Sequence, residues 1–162
     1  MKNKVLRGIL LSLGMSLMIA CNSKKEGSAV VIDKEQIKKE IQAKEDEYAA
    51  TYNAGEMKNI GYYAEDAITF AQNQPPLVGK KAIIEYLGIG IDSLKRNNKI
   101  SFTTNEVFVS NDAIMVLEIG SYKVVDSTNT AINTGNYMVL FEKRDGKYVS
   151  VRDMSASDMP RE

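Results

Sequence analysis

The chain contains no histidine, and that absence removes several chemistries together. Ser-His and Cys-His nucleophile systems, histidine general bases and the commonest metal ligand are all excluded. Cysteine occurs once, as Cys21, so no intrachain disulfide can form. No basic run is longer than a pair such as Lys24-Lys25. Nucleic-acid binding depends on clustered Lys and Arg, so nucleic acid is not an expected partner. The apolar stretch Ile9 to Ile19 is broken by Ser12, Gly14 and Ser16. It falls well short of the roughly 20 residues that span a bilayer, which argues against a retained transmembrane helix. Catalysis, if present, has to draw on Asp, Glu, Tyr, Lys or Arg, and neither a metal nor a cofactor is expected.

What is present begins with a leader. Lys2, Lys4 and Arg7 form a positive region ahead of the apolar stretch, and Leu17-Met18-Ile19-Ala20-Cys21 closes it. Together they read as a secretory signal over residues 1–20. The segment resembles a bacterial lipoprotein signal, apart from a less usual Met18. The resemblance implies cleavage before Cys21 and acylation of that residue, by palmitate for example. A lipidated Cys21 would also remove thiolate chemistry and Cys-type zinc sites. Cleavage takes three of the 21 basic residues and none of the 21 acidic ones, leaving a mildly acidic chain. Residues 21–31 are polar and aperiodic, a tether between anchor and domain. Asn22 is not an aspartate, so the inner-membrane retention rule of enteric lipoproteins does not apply. The expected location is the cell envelope, on the outer membrane, with the membrane reached through the lipid.

The remaining length suits one domain, expected over residues 32–157 with a tail at 158–162. Asp33 can cap a helix, with Gln36 placed as in a capping box and Gly55 as terminator. Ile37, Ile41, Tyr48 and Tyr52 share its apolar face, with Lys38, Lys39, Glu45 and Glu47 assigned away from it. A second helix is expected over about Glu56–Ala64, a short strand over Ala67–Ala71, a loop at Gln72–Pro76, and a third helix from Lys80 loosened by Gly88 and Gly90. Thereafter the period changes. Ile100–Ser110, Ala113–Asp126, Ala131–Arg144 and Lys147–Ser155 read as strands joined by short turns. Helices followed by a meander define an α+β fold: N-terminal helices packed on a strongly curved, mostly antiparallel sheet. Gly120 and Gly135, inside strands, suit the bulges or bends that such curvature needs.

Four strings carry a family likeness: Tyr48-Ala49-Ala50-Thr51-Tyr52-Asn53-Ala54-Gly55-Glu56, Tyr63-Ala64-Glu65-Asp66-Ala67, Gln74-Pro75-Pro76-Leu77-Val78-Gly79-Lys80 and Asp145-Gly146-Lys147-Tyr148. With the order of elements, they resemble the nuclear-transport-factor-2-like superfamily over about residues 33–155, nearest its SnoaL-like and ketosteroid-isomerase-like branches. The resemblance implies a cone-shaped scaffold with an internal cavity, which in that superfamily serves enzymes and binders alike. Its isomerases need a tyrosine, a carboxylate base and a protonated acid. Tyr48 matches the tyrosine, but the base falls at Ala71 or Gln72 and the acid at Met138, none of them acidic. Its epoxide hydrolases use an Asp-Arg-Asp cluster. Arg152 and Asp153 are adjacent on a strand and would point to opposite faces.

The expected function is therefore a lipid-anchored envelope domain that binds a small, fairly apolar molecule without turnover. The cavity lining implied is Tyr48, Tyr52, Gln72, Met138, Leu140, Val151, Asp153 and Ser155. Two alternatives stand beside it. One is an isomerase, lyase or hydrolase using Glu118 or Asp153 with Tyr48; the other is an interaction module that forms a homodimer through the outer sheet face.

Overall fold

The computed structural model describes residues 32–93 and 97–160. The expected signal, Cys21 and the tether to residue 31 lie outside the described residues, as does the end of the tail. The elements are α1 (Lys34–Ala54), a single 3-10 turn (Met57–Asn59), β1 (Tyr63–Phe70), β2 (Leu77–Val78), α2 (Lys80–Ser93), β3 (Lys99–Val109), β4 (Met115–Val125), β5 (Ala131–Arg144) and β6 (Lys147–Ser157). The six strands form one sheet in the order β2-β1-β6-β5-β4-β3. All neighbours are antiparallel except β1 and β6. Two helices on a mostly antiparallel curled sheet make the α+β cone expected from the sequence.

Local chemistry sets the ends of α1. Asp33 Oδ1 accepts the Gln36 amide at 3.0 Å, supplying one of the partners that a helix start lacks. The Gln36 side chain, however, reaches Glu40 and does not complete a capping box. At the other end Gly55 takes φ 74° and returns its amide to Thr51 and Tyr52 carbonyls. The β5–β6 hairpin turns on Asp145 and Gly146, both at positive φ, a pairing that suits the twist of the flanking strands.

Three expectations are corrected. The helix over Glu56–Ala64 shrinks to Met57–Asn59, and Tyr63 and Ala64 enter β1. The Ser150 amide bonds the Tyr62 carbonyl at 2.8 Å, and this parallel pairing with β6 overrides the local helical spacing. The helix from Lys80 runs through Gly88 and Gly90 to Ser93.

Gly120 lies opposite the β3 bulge, where the register shifts between Thr104, its partner, and Glu106. Gly135 hosts no bulge and pairs with Tyr122 in unbroken register. An added Cβ on Gly120 would run into the Tyr137 ring, and one on Gly135 into the Ala156 carbonyl and the Tyr122 ring, so each glycine makes room for a ring lying across the strand. A second register shift, at Val151 of β6, adds to the bending.

The core lies between α1, α2 and the concave face. Ile41, Ile83, Val116 and Phe141 are completely buried there. No helix among the described residues is long and apolar enough to cross a membrane.

Candidate functional site

The concave face does not close on itself. Between α1, α2, β1 and β3–β6 lies a cavity of about 570 Å³, within the 300–1,000 Å³ typical of ligand sites. Its wall is largely aromatic: Tyr48 and Tyr52 from α1, Tyr62 and Tyr63 at the start of β1, Tyr86 from α2, and Phe102, Tyr122 and Tyr137 from the sheet. The rings meet steeply. Tyr48 and Tyr62 are 4.9 Å apart at 63°, Tyr48 and Phe102 5.3 Å at 87°, and Phe102 and Tyr137 5.5 Å at 86°. Edge-to-face contact of this kind suits the ring quadrupole and holds the wall rigid. Glu45, Asn133, Asp153 and Ser155 supply polar atoms, and no Lys or Arg among the described residues lines the cavity.

Asp153 reaches this wall because of the irregularity at Val151. Leu140 pairs with Arg152 and Phe141 with Ser150, leaving Val151 as the extra residue. Asp153 then turns inward beside Thr69 of β1, whose hydroxyl donates to Oδ1 at 2.5 Å. Burial pushes the carboxyl up to about 6, against the favourable Thr69 bond. Burial first, and the Asp153 charge after it, raise the phenols of Tyr48 and Tyr63, so both stay protonated at neutral pH. Arg152 points the other way, to the Asp66 and Val151 carbonyls. The pair thus occupies opposite faces, and no Asp-Arg-Asp cluster forms.

The second carboxyl of the wall is one that sequence reasoning assigned to solvent. Glu45 is 2% exposed and accepts the Tyr62 hydroxyl on Oε1. It is pushed up to about 9 by burial and then by Glu118. Glu118, fully buried on β4, accepts Thr104 at 2.6 Å and Tyr137 at 2.9 Å, both on Oε1. Its Oε2 has no donor while both acids are ionised. Burial raises Glu118 as well, and a proton on Glu45 can supply that donor. Like-charge repulsion in a dry site favours the same proton.

Several expected lining residues lie elsewhere. Tyr48, Tyr52, Asp153 and Ser155 line the cavity, and Val151 is buried in the bulge without facing it. Gln72 is exposed on its loop. Met138 and Leu140 point outward, because Gly135, Tyr137, Val139 and Phe141 form the inner row of β5. A shift of one residue in a strand reverses every side chain, and the fit of Tyr137 over Gly120 decides the parity. Glu118 sits behind the wall, not in it, and Glu45 takes the place at the surface. A signal for Glu45 existed: 37, 41, 45, 48 and 52 follow helical spacing.

No family model matches the chain, and no curated protein matches it in sequence. Solved structures do match. A domain of unknown function with a cystatin-like fold from Nostoc punctiforme is 15% identical, with TM-score 0.65 over 78% of each chain. An NTF-2-like protein of unknown function from Shewanella oneidensis is 20% identical, with TM-score 0.58 over 72% of this chain and 96% of its own. A ketosteroid isomerase-like protein from Erwinia carotovora is 17% identical, with TM-score 0.56 over 75% and 96%. The likeness is one of fold: the chain has the NTF2-like cone.

Proposed function

We propose that the protein binds a small, largely apolar molecule inside the cone. The observation that carries this reading is the cavity of about 570 Å³ walled, among the described residues, by eight aromatic rings, with four polar residues besides the tyrosines. Ligand sites combine an apolar wall with a few fixed polar groups in this way. Binding can be followed by tyrosine fluorescence and by native mass spectrometry with compact aromatic molecules. The variant Ser155→Phe, which adds a ring to the lining, should abolish the signal. Equal binding by that variant, or no binding by the wild type, would refute the reading.

A second reading is proton transfer to or from the bound molecule. The ground for expecting no turnover was the lack of acids at Gln72 and Met138. It weakens because Asp153 and Glu45 bring carboxyl groups to the wall from other positions. Asp153 would act as base, with Tyr48 hydrogen-bonding the substrate oxygen. Deuterium exchange at acidic C–H positions of a bound ketone, lost in Asp153→Asn, would support it.

Anchoring through Cys21 at the outer membrane belongs to the same proposal and rests on residues 1–21. Release of the protein from membranes by Cys21→Ala would support it. Homodimerisation is favoured by one further observation. Phe70, Met154, Met138 and Ile119 lie in register across β1, β6, β5 and β4, and the first three are 45%, 51% and 39% exposed, with Met154 also bordering the cavity. Contiguous apolar surface of this kind suits an interface.

A further inference from the structure

We propose that the molecule held in the cone is an organic cation: a protonated or quaternary amine on an apolar body. This rests on the reading of the cavity as a binding site and names the chemical class it accepts. Three observations converge. The wall consists mainly of phenol and phenyl rings around a single volume, several of them crossing steeply, with Tyr48 and Tyr52 stacked. A box of crossed rings turns some faces toward that volume whatever the direction of approach, and the faces carry the negative end of the ring quadrupole.

The charged groups that the wall can present are all acidic. Asp153 is the forward one, and among the described residues the donor to its carboxyl is the neutral Thr69 hydroxyl, on Oδ1. Thr69 and Tyr63 face it from β1, and Tyr48 and Glu45 from α1; none can offset a negative charge. Glu45 is the other acid of the lining, and Glu118 lies behind the wall next to it. No Lys or Arg among the described residues lines the cavity. The basic groups described near Asp153 in sequence are turned out: Arg144 pairs with Asp66 and Glu142, and Arg152 bonds backbone carbonyls.

A neutral guest would leave an unpaired carboxyl in a nearly dry chamber, and an anionic guest would face repulsion from two directions. A cation satisfies Asp153 and the ring faces together.

Benzyltrimethylammonium and its neutral isostere neopentylbenzene test this on the intact protein, since they share a shape and differ in charge. At pH 8 the cation should bind about tenfold tighter or better, as a desolvated cation–ring contact implies. Its advantage should shrink as pH falls through the range in which Asp153 gains a proton. Asp153→Asn should lose most of the advantage while keeping the affinity for neopentylbenzene. Phe102→Leu, which removes a ring and no polar group, should weaken the cation several-fold more than the isostere, and it serves if Asp153→Asn does not fold. Equal or tighter binding of neopentylbenzene would overturn the cation inference and leave the cavity reading intact. Failure of both probes to bind would overturn both.

Discussion

Replacing Glu45 by glutamine tests the shared proton directly. In the native protein Glu45 keeps its proton up to about pH 9, whereas the unfolded chain releases it near 4.5. Between those values the folded state binds one more proton than the unfolded state, so stability is greatest below about pH 4.5 and declines as pH rises. One proton is worth about 1.4 kcal/mol per pH unit. From pH 6.5 to 8.5 the expected loss is about 2.5 kcal/mol, or roughly 10 °C in melting temperature for a domain of this size. No histidine titrates in that window, so the slope can be assigned. In Glu45→Gln the amide oxygen can accept from Tyr62 and the amide nitrogen can donate to Glu118 Oε2. The variant mimics the protonated acid without being able to lose its proton. Denaturant melts at four pH values should therefore show a slope in the wild type and a nearly flat profile in Glu45→Gln. A wild type without the slope, or a variant that keeps it, would refute the shared proton.

Other expectations follow from the same geometry. Asp153→Asn should flatten the smaller decline in stability between about pH 4 and 6, by about 1–2 kcal/mol, because the native carboxyl is held near 6 against an ordinary 3.8. Gly120→Ala should cost about 1–3 kcal/mol and displace the Tyr137 ring, visible as a loss of near-ultraviolet tyrosine ellipticity. Asp33→Ala should cost about 1 kcal/mol in chemical denaturation through loss of the α1 cap. Met138→Lys on the outer face should shift a dimer to monomer in sedimentation velocity, without altering the fold.

The parts of the fold that were legible in the sequence are those whose causes are local. Asp33 and Gly55 bracket α1, and the Asp145-Gly146 turn sets the inner ends of β5 and β6. β1 was misread because its partner, β6, lies at the far end of the chain. On β5 the run Tyr137-Met138-Val139-Leu140-Phe141 is apolar throughout, so alternation could not show which set faces inward. That parity depends on Gly120 in a different strand. Glu45 shows the same limit from the other side. Its spacing placed it among Ile41 and Tyr48, but a buried acid is tolerable only with partners, and Tyr62, just ahead of β1, and Glu118 on β4 lie far along the chain from it.

The reciprocal placement of Tyr122 over Gly135 and Tyr137 over Gly120 has a consequence for how the interior can change. Each ring rests on bare main chain, so the roominess of the cone is governed by two hydrogen atoms on α-carbons that no guest need touch. A single methyl on Gly120 would displace the Tyr137 phenol, and one on Gly135 would press on the Ala156 carbonyl and the Tyr122 phenol, reshaping the lodging without changing the residues that line it. Guest preference in such a cone can therefore drift through the sheet's own framework, one glycine at a time.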